Sequence, residues 1–479
     1  MKKERNIIII VTIILACLTY AFFMTGYYSL DTQRVIAQGF DGYAIEDASF
    51  PDGRVFMGII CLIASKTNIS YTLFYQIMLI GAIVISAFAV YKIYNIINHY
   101  KKAENKKEKI ILYIISYLYI FNFMYIDSLK FIECIVMAAS ILLYIIGIEQ
   151  LIVKNKKAKG VMVVTAGIFC YQGTIPLFIA TACLVALLEN KKINKEIIKK
   201  LLPCAIACIV ACILNMLFVK IVSGGNGRVS QIGISILVKN LKGLKKTILE
   251  SNELFPNYLW ISFIAITLII ILYNSIKNKK TETLFMAVIV LTTYIVSQFI
   301  LFLIEEEMIN GLGRTFGAIG ASFSAILIYE YCNSNIISNK GKQSKALVIV
   351  IMAFFVINLG NTLYITKEYK MANKLDKELS YKIKEFKEQE ERKEKKIEQM
   401  VMIYNPANNS GTNYSRYIKK ECRTIIGAYN HKTYELFTGE KIKYNLEDSK
   451  EICEEYFKDQ TEEIRMEAIG DTIYIGINI

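Results

Sequence analysis

The stretch YYSLDTQRVIAQGFDGYAIEDASFPDGRVF, Tyr27 to Phe56, gathers Asp31, Asp41, Glu46, Asp47 and Asp52 with Arg34 and Arg54, directly after the first long apolar run of the chain. A carboxylate there can take a proton from a hydroxyl. An arginine can hold a phosphate through two parallel hydrogen bonds and stabilise the charge that gathers on it. The plain alternative is a soluble acidic loop. That explains how many acids there are, but it explains less well why Asp31 follows the apolar run almost at once, or why Gly53 turns Arg54 between an acid and another apolar piece.

Other polar groups stand apart in sequence. Tyr171 and Gln172 interrupt a long apolar stretch as part of YQGTIP. Glu305, Glu306 and Arg314 lie in EEEMINGLGRTFG, where they could bind an acceptor or a phosphate, or form a solvated hairpin. Asp127 and Lys130 are placed to pair with each other. Glu133 sits where lipid would make an isolated charge costly, so it is expected to face the interior of a bundle. The two histidines, His99 and His431, have no partners nearby in sequence. Cys204, Cys208 and Cys212 recur at helical spacing without metal-ligand company, which favours packing. Cys422 and Cys453 could pair. No phosphate-binding glycine loop is present.

These residues need a membrane to hold them. The chain has 479 residues, is 54% hydrophobic and contains only five prolines. Apolar runs long enough to cross a bilayer recur, separated by lysine-rich links. The net charge of +14 sits largely in those links and needs no nucleic acid to explain it. Spans are expected near 7–24, 71–92, 110–126, 131–148, 201–222, 257–275, 283–304, 315–331 and 346–366, with 161–189 folded at YQGTIP into two short ones, about eleven in all. With the amino terminus cytoplasmic, NHYKKAENKKEK, VKNKKAKG, NKKINKEIIKK, IKNKK and NKGKQSK all fall inside, as the positive-inside rule requires. The acidic loop 25–70 and the carboxyl-terminal part then face outward. VFMGIICLIAS is too short to span and is expected as an interfacial helix. Residues 232–249 read as an amphipathic surface helix with an apolar stripe through Leu237, Val238 and Leu241.

Residues 367–479 differ in kind. A long charged helix is expected first, then strand-like pieces MVMIY, TYELF and DTIYIGINI, making a small α/β domain outside the membrane. The expected fold is therefore an all-α polytopic membrane domain, 1–366, with a small C-terminal α/β extracytoplasmic domain, 367–479.

A carboxylate and an arginine at the outer face are what transfer of a sugar from a polyprenyl phosphate requires. One span, then an outer loop of the form D…GR, then many spans with a YQG turn, resembles the bacterial Gtr-type glucosyltransferases that modify O-antigen and other surface polymers, within the GT-C-like membrane glycosyltransferases. The matching residues are Asp31, Gly53, Arg54, Tyr171 and Gln172. The resemblance implies a catalytic carboxylate in the first outer loop, a polyprenyl-phosphate glucose donor, a surface glycan acceptor and jaw-like interfacial helices. LDTQR carries one acid where that class often has a pair, which leaves Asp31, Asp41 and Asp47 as alternatives for the base. Asp31 is preferred. Arg34, Asp41, Asp47, Asp52, Arg54, Tyr171, Gln172, Glu305, Glu306 and Arg314 are expected to bind substrate. No cofactor is expected, and the sequence leaves a divalent metal open. The competing readings are a polysaccharide polymerase or ligase, which would carry its large loop between late spans, and a secondary transporter or flippase, which would show related halves.

Overall fold

With lipid as solvent, a backbone can satisfy its polar groups within a single segment only as a helix, and the long apolar runs of this chain are helical. The computed structural model describes residues 2–190, 193–224, 235–242, 257–278, 281–299, 317–333, 341–405, 425, 430–444, 453–457, 460 and 462–478. Its helices are α1 (Lys2–Thr19), α2 (Ala21–Met24), α3 (Leu30–Gly42), α4 (Val55–Ser65), α5 (Tyr71–Tyr100), α6 (Lys106–Ile120), α7 (Tyr125–Leu129), α8 (Cys134–Ile148), α9 (Lys157–Cys170), α10 (Ile175–Asn190), α11 (Lys195–Ser223), α12 (235–242), α13 (Asn257–Asn278), α14 (Thr281–Ser297), α15 (Gly317–Asn333) and α16 (Lys342–Glu391).

Among the described residues five helices are long and apolar enough to cross a membrane: Tyr71–Tyr100, Cys134–Val153, Gln172–Asn190, Lys195–Ser223 and Ser344–Glu391. The other stretches expected as spans are helical for most of their described length, but shorter or more charged at their ends; the one expected over 110–126 leaves the helix after Ile120, and Phe121–Met124 form a non-helical link to α7. α11 shows why water is not the natural surroundings. It presents Ile198, Ile209, Leu217 and Ile221 at 51% exposure or more, an apolar wall of a kind soluble proteins rarely leave uncovered.

The helices pack as a chain of neighbours: α1 and α8 on α5, α9 on α8, α11 on α9, and α14 and α6 on α15. One continuous apolar cluster fills the bundle, with Tyr75, Tyr117, Tyr144 and Tyr294 fully buried in it. The long apolar stretch 161–189 is broken at Tyr171–Thr174, where α9 ends and a single 3-10 turn leads into α10. Pro176 falls at the second residue of α10, where its missing N–H costs no internal hydrogen bond. α4 buries Met57, Gly58, Cys61 and Ala64 and exposes Phe56, Ile59 and Ile63, so one apolar face is packed and the other uncovered. Only 235–242 of the expected amphipathic element lies within the described residues; it is helical, with Val238 and Leu241 exposed.

α16 runs for 50 residues without a break from its apolar half into the charged segment. Beyond it lies a four-stranded sheet: β1 (Gln399–Asn405), β2 (Lys443–Tyr444), β3 (Ile464–Ile469) and β4 (Thr472–Asn478), in the order β2-β1-β4-β3. β1 is parallel to β2 and β4, and β3 is antiparallel to β4. Met400, Ile473, Ile475 and Ile477 pack there with Leu379 and Ile383 of α16, a core separate from that of the bundle. TYELF, expected as a strand, is instead part of α17 (Asn430–Thr438). Thr433, Tyr434 and Phe437 share one face at helical spacing, Tyr434 is fully buried, and Lys432 pairs with Glu435 at 2.8 Å one turn on. Burial of that face outweighs the β preference of a Thr-Tyr pair.

Candidate functional site

The loop is a folded polar nest. Ser29 caps α3: its side chain accepts from the Thr32 amide, and the Thr32 hydroxyl accepts from the Ser29 amide. The cap puts Asp31 in the first turn of α3, at 7% exposure, where the helix N-terminus favours a carboxylate. Arg34 lies one turn on, its Nη1 3.7 Å from Asp31 Oδ1. At Gly39 the backbone adopts φ +76° and bends the helix. A π-helical turn at Tyr43–Asp47 then returns Asp47 to Arg34, and the two are ion-paired. Burial opposes the Arg34 charge, yet the facing Asp31, Tyr43 and Asp47 hold its pKa above the ordinary arginine value.

The second cluster begins at the DGR turn. The Arg54 amide donates to Ser49 O at 2.8 Å and the Gly53 amide to Phe50 O at 2.9 Å. Gly53 takes φ +74°, and a Cβ there would lie 2.7 Å from both polar atoms of the Asn215 amide. No other residue fits both the angle and the space. Gln172 Nε2 donates to Asp52 O at 2.9 Å and to Asn215 Oδ1 at 3.0 Å, while Asn215 Nδ2 donates to Gly53 O at 2.8 Å. The YQG turn and α11 thus clamp the DGR turn through its backbone. The Arg54 side chain passes inward. Its Nη1 donates to both oxygens of Glu133, at 2.9 and 2.7 Å. Its Nη2 lies 3.4 Å from Asp52 Oδ2, and its guanidinium sits 5.2 Å from the centre of the Tyr171 ring. Tyr43 OH completes the arrangement by donating to Glu133 Oε1 at 2.8 Å.

The structure therefore joins Asp31, Arg34 and Asp47 in one cluster, and Asp52, Arg54, Tyr171 and Gln172 in another, with Tyr43 touching both. Four carboxylates (Asp31, Asp47, Asp52, Glu133) face two arginines. Asp41 stands outside, exposed, and makes no ion pair among the described residues. Glu305, Glu306 and Arg314 lie outside the described residues, as does Cys422. Asp127 and Lys130 pair with each other. Among the described residues, no group of three His, Cys, Asp or Glu side chains is arranged to hold a metal.

Sequence reasoning placed Glu133 in the interior but did not connect it to Arg54. It missed Asn215 altogether. An asparagine at CILNMLF, alone in an apolar helix, was the available signal. It also missed Asn373 of α16, whose amide accepts from the Tyr28 amide at 2.7 Å and donates to Tyr28 O at 3.0 Å. That two-point hold fixes the strand of chain entering α3. No protein-family model matches this sequence, and no curated protein matches it.

Proposed function

We propose that the protein is a membrane glycosyltransferase that moves a sugar from a polyprenyl-phosphate donor to a surface glycan. One observation carries this reading: the separated motifs on which the resemblance rests come together, Tyr171–Gln172 against the DGR turn directly and Asp31 through Arg34 and Tyr43, whose hydroxyl donates to the Glu133 that holds Arg54. Asp31 accepts the proton of the acceptor hydroxyl, and the freed oxygen bonds to the anomeric carbon. The bond from that carbon to the donor phosphate breaks, and its electron pair leaves with the phosphate. Arg34, partly exposed beside Asp31, stabilises that charge. Arg54, committed to Glu133, anchors the loop and lends its charge at longer range. In this reading the helices form about eleven spans in a GT-C-like arrangement, with the amino terminus cytoplasmic and the β-sheet part outside the cell membrane.

The test is transfer by the purified full chain in lipid nanodiscs, with polyprenyl-phosphate glucose as donor and an envelope glycan as acceptor. Release of polyprenyl phosphate matched by sugar on the acceptor supports the reading. Absence of both, across a panel of lipid-linked sugars and with divalent metal supplied, refutes it.

A further inference from the structure

A groove of about 540 Å³ lies at the end of α1 away from the loop, within the range of roughly 300–1,000 Å³ typical of small-ligand sites. Its floor is Ile7 and Val11 of α1 with Ile110 and Tyr113 of α6. Ile7 is 52% exposed and Ile110 44%, so the floor opens sideways, toward the lipid expected around these helices. Its lip is cationic: Lys3, Lys106 and Lys109 face one carboxylate, Glu4. Glu4 is already engaged, by Lys109 at 3.2 Å and by the Tyr94 hydroxyl at 2.8 Å. Lys3 and Lys106 make no ion pair among the described residues.

We propose that this groove binds an anionic phospholipid of the leaflet in which the amino-terminal end of α1 lies. Its phosphate lies between Lys3 and Lys106, and an acyl chain runs along Ile7, Val11, Ile110 and Tyr113. A soluble anion would leave the apolar floor uncovered, and a neutral lipid would leave the two lysines unmatched; an anionic lipid answers both. The lysines stand where the apolar floor ends, the level of a headgroup phosphate when the helices cross a bilayer. The inference depends on that crossing and not on glycosyl transfer.

The experiment is a thermal-stability titration of the full chain in neutral detergent with phosphatidylglycerol, phosphatidylcholine or inorganic phosphate. Phosphatidylglycerol is expected to raise the midpoint at lower concentration than phosphatidylcholine, and inorganic phosphate to leave it unmoved. Lys3→Gln/Lys106→Gln should need about thirtyfold more phosphatidylglycerol, from the usual contribution of a lysine near a lipid surface. Lys2→Gln/Lys107→Gln removes the same charge from the exposed surface outside the groove and should behave as wild type. Val11→Trp, which fills the floor, should abolish the lipid-dependent shift even with both lysines present. Equal response to the two lipids, equal loss in both lysine pairs, a matching shift with inorganic phosphate, or an undiminished shift in Val11→Trp would each overturn the proposal.

Discussion

Arg54 grips both oxygens of Glu133 with a single guanidinium nitrogen, at 2.9 and 2.7 Å, across 79 residues of sequence. Glu133 is fully buried. A charge enclosed this way is tolerable only while its partner is present, because removing either leaves the other desolvated and unmatched. Glu133→Gln and Arg54→Gln should therefore each destabilise the protein by about 3–5 kcal/mol. The double variant should cost clearly less than the sum. A double-mutant cycle from thermal unfolding in detergent measures this; strict additivity would mean that the pair is not coupled.

Arg54→Lys separates charge from geometry. A lysine keeps the positive charge but loses the planar fork that meets Glu133, Asp52 and the Tyr171 ring. Activity should fall well below wild type. Full activity in Arg54→Lys would reduce Arg54 to a generic counter-charge.

Asp31→Asn is nearly isosteric and keeps the helix cap intact. It should abolish transfer with expression and donor binding near wild type. Asp41→Asn should leave transfer almost unchanged, since Asp41 is exposed and outside the clusters. Asp47→Asn should weaken donor binding through Arg34. Loss of transfer in Asp41→Asn with retention in Asp31→Asn would move the base along the loop.

Gly53 shows what was legible in the sequence and what was not. Glycine before arginine between an acid and an apolar piece signalled a turn, and the lengths of the apolar runs signalled α4 and the long helices. The break at YQGTIP was readable because polar and turn residues interrupt an apolar run. Asn215 and Glu133 completing the DGR turn was not readable, since Asn215 lies in α11 and Glu133 just before α8, and pairings between distant elements leave no local pattern. α17 was misread because TYELF carries strand propensity, while the burial of Tyr434 is decided by tertiary contacts with no trace inside those five residues.

The tail offers a pH test. Glu440 is held below the usual carboxylate range by Lys384 first, against a smaller opposing effect of burial, and then by Tyr434 and Lys387. A carboxyl group whose folded pKa is depressed stabilises the fold above its unfolded pKa, and the contribution fades as pH falls through the folded value. About a third of the Glu440 side chain is exposed (32%), so screening keeps the effect below about 1 kcal/mol. Comparing Glu440→Gln with wild type by thermal unfolding should show a deficit at pH 7 that narrows on acidification below about pH 5. A deficit constant with pH would assign Glu440 a packing role instead.

Orientation decides whether Asp31 can meet a lipid-linked sugar on the outer face. The loop of α3 and the charged half of α16 share a side, because Asn373 holds Tyr28 and Lys370 reaches the carbonyl of Gly26. Lys277 closes α13 near its carboxyl end, in the link IKNKK that the lysine pattern assigns to the cytoplasm. Lys382 is exposed on α16, whereas the nearby Ser380 is fully buried and would report poorly. Single cysteines at Lys382 and Lys277, in a background with the native cysteines replaced, should therefore respond oppositely to an impermeant thiol reagent on intact cells. Lys382→Cys should label at once, and Lys277→Cys only after the membrane is opened. The reverse pattern would put Asp31 on the side away from the donor sugar, because no crossing separates it from Lys382, and glycosyl transfer at the outer face would then have no catalytic carboxylate.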